Sequence, residues 1–145
     1  MTETELPVID SFEALSSQLA KEGLPFRKVD GEQALSLPTR LGDTDSVLHL
    51  RWEPTPGVVQ FIQPLPLAVP PATKVEVGQA LHRINLQLAI QGFTLDEQTG
   101  NVAFRTQVLL SAGQGLLPGM IGLMIRSSIE TASTHLPGIR AIANS

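Results

Sequence analysis

Four prolines crowd into residues 64–71, PLPLAVPP, and they constrain the chain more than any other feature. Each removes a backbone donor and disfavours helical conformation at the residue before it, so this stretch is expected to be neither helix nor inner strand. We expect an extended crossing that separates two unlike halves of the chain. Proline-rich ligands of SH3-like partners normally lie in disordered tails, so a stiff connection from sheet to helix is the preferred reading.

Before the crossing, residues 25–65 alternate with period two and break at Asp30-Gly31, at residues 41–45 and at residues 54–57. Four short extended runs result, the pattern of an antiparallel meander. In the clearest run Leu48, Leu50 and Trp52 point one way and Val47, His49 and Arg51 the other. Pro38 sits within the second run, which places that strand at or near an edge. A first helix precedes the meander, with Asp10 as its expected cap, Glu13 at capping-box spacing and Gly23 as its stop.

After the crossing, a second capping box from Thr73 to Glu76 opens a helix expected to run to Gln91, with Gly92 as its left-handed stop. A hairpin follows, residues 93–95 and 101–111 around a turn from Asp96 to Gly100. Its second strand sets Val102, Phe104, Thr106, Val108 and Leu110 opposite Ala103, Arg105 and Gln107. A third helix is expected over residues 118–135, ended by Leu136-Pro137-Gly138. The expected fold is therefore α+β, one domain over residues 1–145, with an antiparallel sheet flanked by three helices in the order α-β-β-β-β-α-β-β-α.

Composition narrows the function. Hydrophobic residues are 42% and charged residues 17%, enough to build a core and too little charge for a disordered segment. No cysteine is present, which excludes a disulfide scaffold, a thiol nucleophile and thiolate zinc sites. Residues 1–10 carry Glu3, Glu5 and Asp10 without a basic residue, opposite to a signal or transit peptide, so we expect a cytoplasmic protein. The apolar run at residues 116–125 is about half of the ~20 residues a membrane span needs, so no membrane association is expected. The ten basic residues are scattered along a chain of net charge −4, which argues against nucleic acid as a partner.

Chemistry-bearing motifs are equally sparse. His49, His82 and His135 fall on three different elements and read as packing or solvated side chains rather than metal ligands. Asp43-Thr44-Asp45 lacks the glycine and terminal glutamate of a calcium loop. The glycine-rich run GQGLLPG at residues 113–119 has neither dinucleotide-binding spacing nor a following Lys-Ser/Thr, and reads as a connector. No nucleophile elbow surrounds Ser111, while capping, turns and solvated faces account for Glu76, Asp96, Glu97 and Glu130. No catalytic, cofactor-binding or metal-binding residue is assigned, and a non-enzymatic protein is expected.

What remains is an apolar surplus. Val77, Leu81, Ile84 and Leu88 form a core stripe on the second helix, but Val75, Leu86 and Ile90 fall opposite. On the third, Ile121, Ile125, Ser128, Ile129, Ala132 and Leu136 form the core stripe, with Leu123 opposite and Met120 and Met124 flanking. Burying one such side chain is worth roughly 1.5–3 kcal/mol, so we expect a partner polypeptide or a second copy to cover Leu86, Ile90, Met120, Leu123 and Met124, unless a neighbouring helix of the same chain does so. Methionine suits such a surface because its thioether adapts to varied apolar partners. A small-ligand or enzymatic pocket between sheet and helices is the alternative.

The run ALHRINL at residues 80–86, continuing to GFTLD at 92–96, GNVAFRT at 100–106 and a closing amphipathic helix, resembles the YbjN domain family. That family is related in fold to type III secretion chaperones. The resemblance implies a small, often dimeric, chaperone-like or adaptor module with a secretion-chaperone-like α+β fold. It implies no active site that could be carried onto Asn85 or any other residue.

Overall fold

A computed structural model describes residues 8–55, 57–89, 92–110 and 115–145. The elements are α1 (Phe12–Lys21), β1 (Arg27–Lys28), β2 (Ala34–Leu41), β3 (Thr44–Glu53), β4 (Val58–Ala68), a 3-10 turn (Pro71–Thr73), α2 (Lys74–Asn85), β5 (Phe93–Leu95), β6 (Asn101–Leu109) and α3 (Pro118–Ala143). The strands form one antiparallel sheet in the order β1-β2-β3-β4-β6-β5. The α+β class and the element order follow the sequence pattern. Pro38 lies on β2, whose outer side is paired by β1 only at Leu35 and Ser36.

One sheet face carries the core. Leu35, Leu37, Leu48, Leu50, Trp52, Val59 and Phe61 pack against Phe12, Leu15 and Leu19 of α1 and Ile121 and Ile125 of α3. Leu41, Leu65, Val102 and Phe104 pack against Val77 and Leu81 of α2 and Ala132, Leu136 and Ile139 of α3. The alternation Val102, Phe104, Thr106 is buried as its period requires, and the stripes of α2 and α3 face inward, with Ile84 and Ile129 partly buried; Leu88, expected on the α2 stripe, lies beyond the end of that helix and packs on the core from there.

Four expectations need correction. The cap of α1 is Ser11, not Asp10: Ser11 has extended backbone (φ −149°), and its Oγ accepts the Ala14 N–H at 3.1 Å. The Thr73 hydroxyl does not cap α2; it donates to the Ala143 carbonyl at 2.8 Å, tying the start of α2 to the end of α3. Helix α2 stops at Asn85, well before Gly92, because the Asn85 side chain turns to bond the backbone of Phe93. Helix α3 runs through Pro137 to Ala143. An interior proline costs a helix about 3 kcal/mol; here Leu136, Ile139 and Ala143 continue the core stripe and are buried, which offsets it, while Pro137 faces solvent.

The proline-rich run gives the largest difference. Pro64 and Pro66 lie inside β4, a central strand between β3 and β6. The reason is local. Pairing of β3 with β4 ends at His49 and Ile62, and pairing with β6 shifts register between Pro64 and Ala68, so Pro64, opposite Ala103, is the last residue before the interruption and Pro66 lies within it. The fully buried Gln63 fills the interruption. Its Nε2 donates to Ser46 Oγ at 3.0 Å, the Pro64 carbonyl at 2.9 Å and the Val47 carbonyl at 3.4 Å, and its Oε1 accepts Thr39 Oγ1 at 3.2 Å. Ser46 Oγ in turn donates to the Pro64 carbonyl at 2.9 Å. After β4, the chain passes Gly100 (φ +78°), which lies against the Val69 backbone so closely that a Cβ would not fit.

Gln63→Leu keeps the volume and removes the bonds. It is expected to lower unfolding free energy by about 2 kcal/mol or more, because the Thr39 and Val47 groups lose a dry partner. Urea denaturation with an unchanged slope is the check.

Candidate functional site

The residues expected to form a partner surface separate into two places. Leu86 is the C-cap of α2 and is 74% exposed. Met120 and Leu123 lie on the first turns of α3, 38% and 54% exposed, while Met124 is half-buried against the core. Ile90 lies outside the described residues. Helix α2 packs against the C-terminal half of α3, since Ala80, Ile84 and Gln87 share a groove with Thr134, Ile139 and Ile142. At ~1.5 Å rise per residue, Leu123 is roughly 16 Å along α3 from Thr134, so Leu86 does not join the α3 residues.

Sequence reading missed two members of the α3 surface. Ile9 and Leu116 form an isolated antiparallel bridge, with N–H to carbonyl distances of 2.7 and 2.9 Å. This brings the exposed Val8 beside the exposed Leu117. Leu117, Met120 and Leu123 then follow at three-residue spacing on one side of α3. The signal for Leu117 was present in the apolar run at residues 116–125. The bridge to Val8 had none. Gly115 is explained by the same bridge, because a Cβ there would meet the Ile9 backbone; residues 111–114 of the glycine-rich connector lie outside the described residues.

The groove between α2 and α3 has a volume of about 410 Å³ and offers Arg83, Gln87, Thr134 and His135 beside Ile84 and Ile139. His135 meets Phe93 edge-on, ring centroids 5.6 Å apart, a packing arrangement. A second depression, of about 480 Å³, is lined by Lys74, Val75, His82 and Leu95, where Lys74 donates to the Glu97 carbonyl. Among the described residues no cluster of three or more histidines, aspartates or glutamates is placed to hold a metal, and no helix is long and apolar enough to cross a membrane.

Two polar side chains are placed with more care than the grooves. Asn85 acts as a substitute strand: its Nδ2 donates to the Phe93 carbonyl at 2.9 Å and its Oδ1 accepts the Phe93 N–H at 2.7 Å. Gly92 is required beside it, since a Cβ would collide with the Asn85 amide. His49 stands half-buried on the sheet face away from the helices. Burial, and secondly the neighbouring Arg51 guanidinium, lower its pKa from the usual 6.5.

A family model named YbjN and described as "Putative bacterial sensory transduction regulator" matches residues 11–141. Among solved structures, "YbjN, a putative transcription regulator from E. coli" is similar with a TM-score of 0.72 and 17% identity, over 93% of this chain and 95% of that one. A chain of the ExsC-ExsE complex is similar with a TM-score of 0.56 and 18% identity, over 89% of this chain and 96% of that one. At such identities the likeness is one of fold. No curated protein matches the sequence.

Asn85→Ala is expected to cost about 1–3 kcal/mol, because both backbone groups of Phe93 lose their partner, and to speed amide exchange at Phe93 in NMR. For His49, the lowered folded-state pKa means that stability is full above pH 6.5 and is lost as pH falls through 6.5 toward the folded value. The His49 ring proton should titrate with a midpoint below 6.5. Arg51→Gln should restore only part of the difference, burial being the larger cause.

Proposed function

The chain belongs to the YbjN family, and from that membership and the surface just described we propose that it is a cytoplasmic, non-enzymatic binding module of the chaperone or adaptor kind. It works as one domain over residues 1–145 and holds a partner polypeptide, or a second copy of itself, on exposed apolar side chains.

The observation that carries this reading is the stripe of Val8, Leu117, Met120 and Leu123 at the start of α3, four apolar side chains each more than a third exposed. Met124, next to Leu123 in sequence, is half-buried against the core. Leu86, with Ile90 following it in sequence, supplies a second contact region at the end of α2. A fold of this kind is found in the ExsC-ExsE complex, where two proteins are associated, which agrees with a binding role. The family description as a regulator of sensory transduction agrees with a role exercised through partners.

The competing reading is a small-ligand or enzymatic site in the groove between α2 and α3, favoured by the polar set Arg83, Gln87, Thr134 and His135 around an apolar floor. A thermal shift with one member of a metabolite panel, abolished by Arg83→Ala, would support it over the binding module.

Leu123→Asp places a charge at an exposed position, so the fold should survive with a stability change within about 0.5 kcal/mol. Association should be lost. Light scattering will show whether a dimer becomes a monomer, and a quantitative pull-down from the native cytoplasm whether a stoichiometric partner disappears. Unchanged association in both would refute the α3 stripe as the binding surface.

A further inference from the structure

The core occupies one face of the sheet, and its other face carries a row of side chains that the strand register fixes. Arg27 pairs with Ser36, Ser36 with His49, His49 with Ile62 and Ile62 with Arg105, so these five residues cross β1, β2, β3, β4 and β6 side by side on that face. With strands ~4.8 Å apart, Arg27 and Arg105 stand roughly 19 Å from each other, with the half-buried Ile62 between them. The adjacent row is Ala34, Arg51, Gln60 and Gln107.

This face is basic in a chain of net charge −4. It holds Arg27, Arg40, Arg51 and Arg105 against Asp45 and Glu53. Both carboxylates are already engaged, Asp45 with Arg40 at 3.6 Å and Glu53 with Arg51 at 3.9 Å. Among the described residues Arg27 and Arg105 have no carboxylate partner; the Arg105 Nε donates to Thr94 Oγ1 at 3.2 Å, which holds that side chain over the sheet. The aromatic rings Phe12, Trp52, Phe61, Phe93 and Phe104 are all buried in the core on the helix side, and Phe26 packs against it. The basic face therefore lacks the stacking platform that single-stranded nucleic acid uses.

We propose that this open sheet face is a second docking surface, for an extended acidic segment of a partner protein. Carboxylates at the two ends of the segment reach Arg27 and Arg105, and an apolar side chain between them rests on Ile62. An extended run of roughly six residues spans the distance. Charge complementarity selects the occupant: another copy of this acidic chain could meet the face only through an acidic stretch of its own, whereas lysine-rich segments are repelled. The surface lies on the layer opposite the α3 stripe and does not rest on it.

The probe is a fluorescein-labelled peptide with glutamates at both ends of a leucine-containing centre, followed by fluorescence polarisation at low ionic strength. The wild-type protein and Leu123→Asp should bind it alike, with resonances of His49 and Ile62 moving in NMR and with affinity falling as salt is raised. Arg27→Glu combined with Arg105→Glu should weaken binding by about tenfold or more with an unchanged circular dichroism spectrum; the glutamine pair Arg27→Gln and Arg105→Gln serves if the reversal disturbs the fold. A peptide with lysines for glutamates should not bind. No binding by the wild type, equal binding by the double variant, or tighter binding of a single-stranded DNA oligonucleotide at the same resonances overturns the proposal.

Discussion

Gln63 is a primary amide with no exposed surface, set in the middle of a six-stranded sheet. Its bonds reach β2 through Thr39, β3 through Ser46 and Val47, and its own strand through the Pro64 carbonyl. Burying such a group without partners costs several kcal/mol, and here no described buried side-chain polar atom is left without one. The arrangement lets a strand bearing two prolines remain central, because a side chain supplies the polar contacts where the backbone ladder stops. From that strand both halves of the core are positioned: Val59 and Phe61 lie under α1 and the start of α3, and Leu65 lies under α2 and its end.

Asn85 solves the same problem at the rim of the sheet. It ends α2, engages both backbone groups of Phe93, and so sets the angle between the helix and the hairpin that follows. Thr73 completes the frame by bonding the last turn of α3. In each case a short polar side chain fixes the geometry between two elements, and the apolar stripes provide the bulk of the stability around it. The division of labour explains why the two candidate surfaces can be exposed without loss of fold, since neither Leu123 nor Arg105 takes part in these bonds.

The parts of this structure legible in the sequence are those governed by short-range period. The meander, the two faces of β6 and the inward stripes of α2 and α3 follow from spacing two or about 3.6, and burial agrees. What escaped was decided by contacts between distant residues. The strand character of Pro64 and Pro66 depends on Gln63, Ser46 and Thr39; the end of α2 depends on Phe93; the passage of α3 beyond Pro137 depends on the core around Ile139 and on Thr73. The surfaces divide in the same way. Exposure of Leu86, Met120 and Leu123 could be read from helical wheels, but their separation needed the packing of α2 against α3, and the row from Arg27 to Arg105 needed the register of five strands.

Open sheets face a general hazard: a free edge is a template on which another chain can add a strand. Each edge of this sheet has a blunted stretch. At β5, three residues long, the Asn85 amide already occupies the Phe93 N–H and carbonyl, so an incoming backbone finds them taken. At β2, the stretch not covered by β1 contains Pro38, which has no N–H to offer. An added strand is thereby hindered at these two places, the hairpin strand beside α2 and the proline-bearing stretch of β2, and in both a local feature of the chain rather than a covering element does the work.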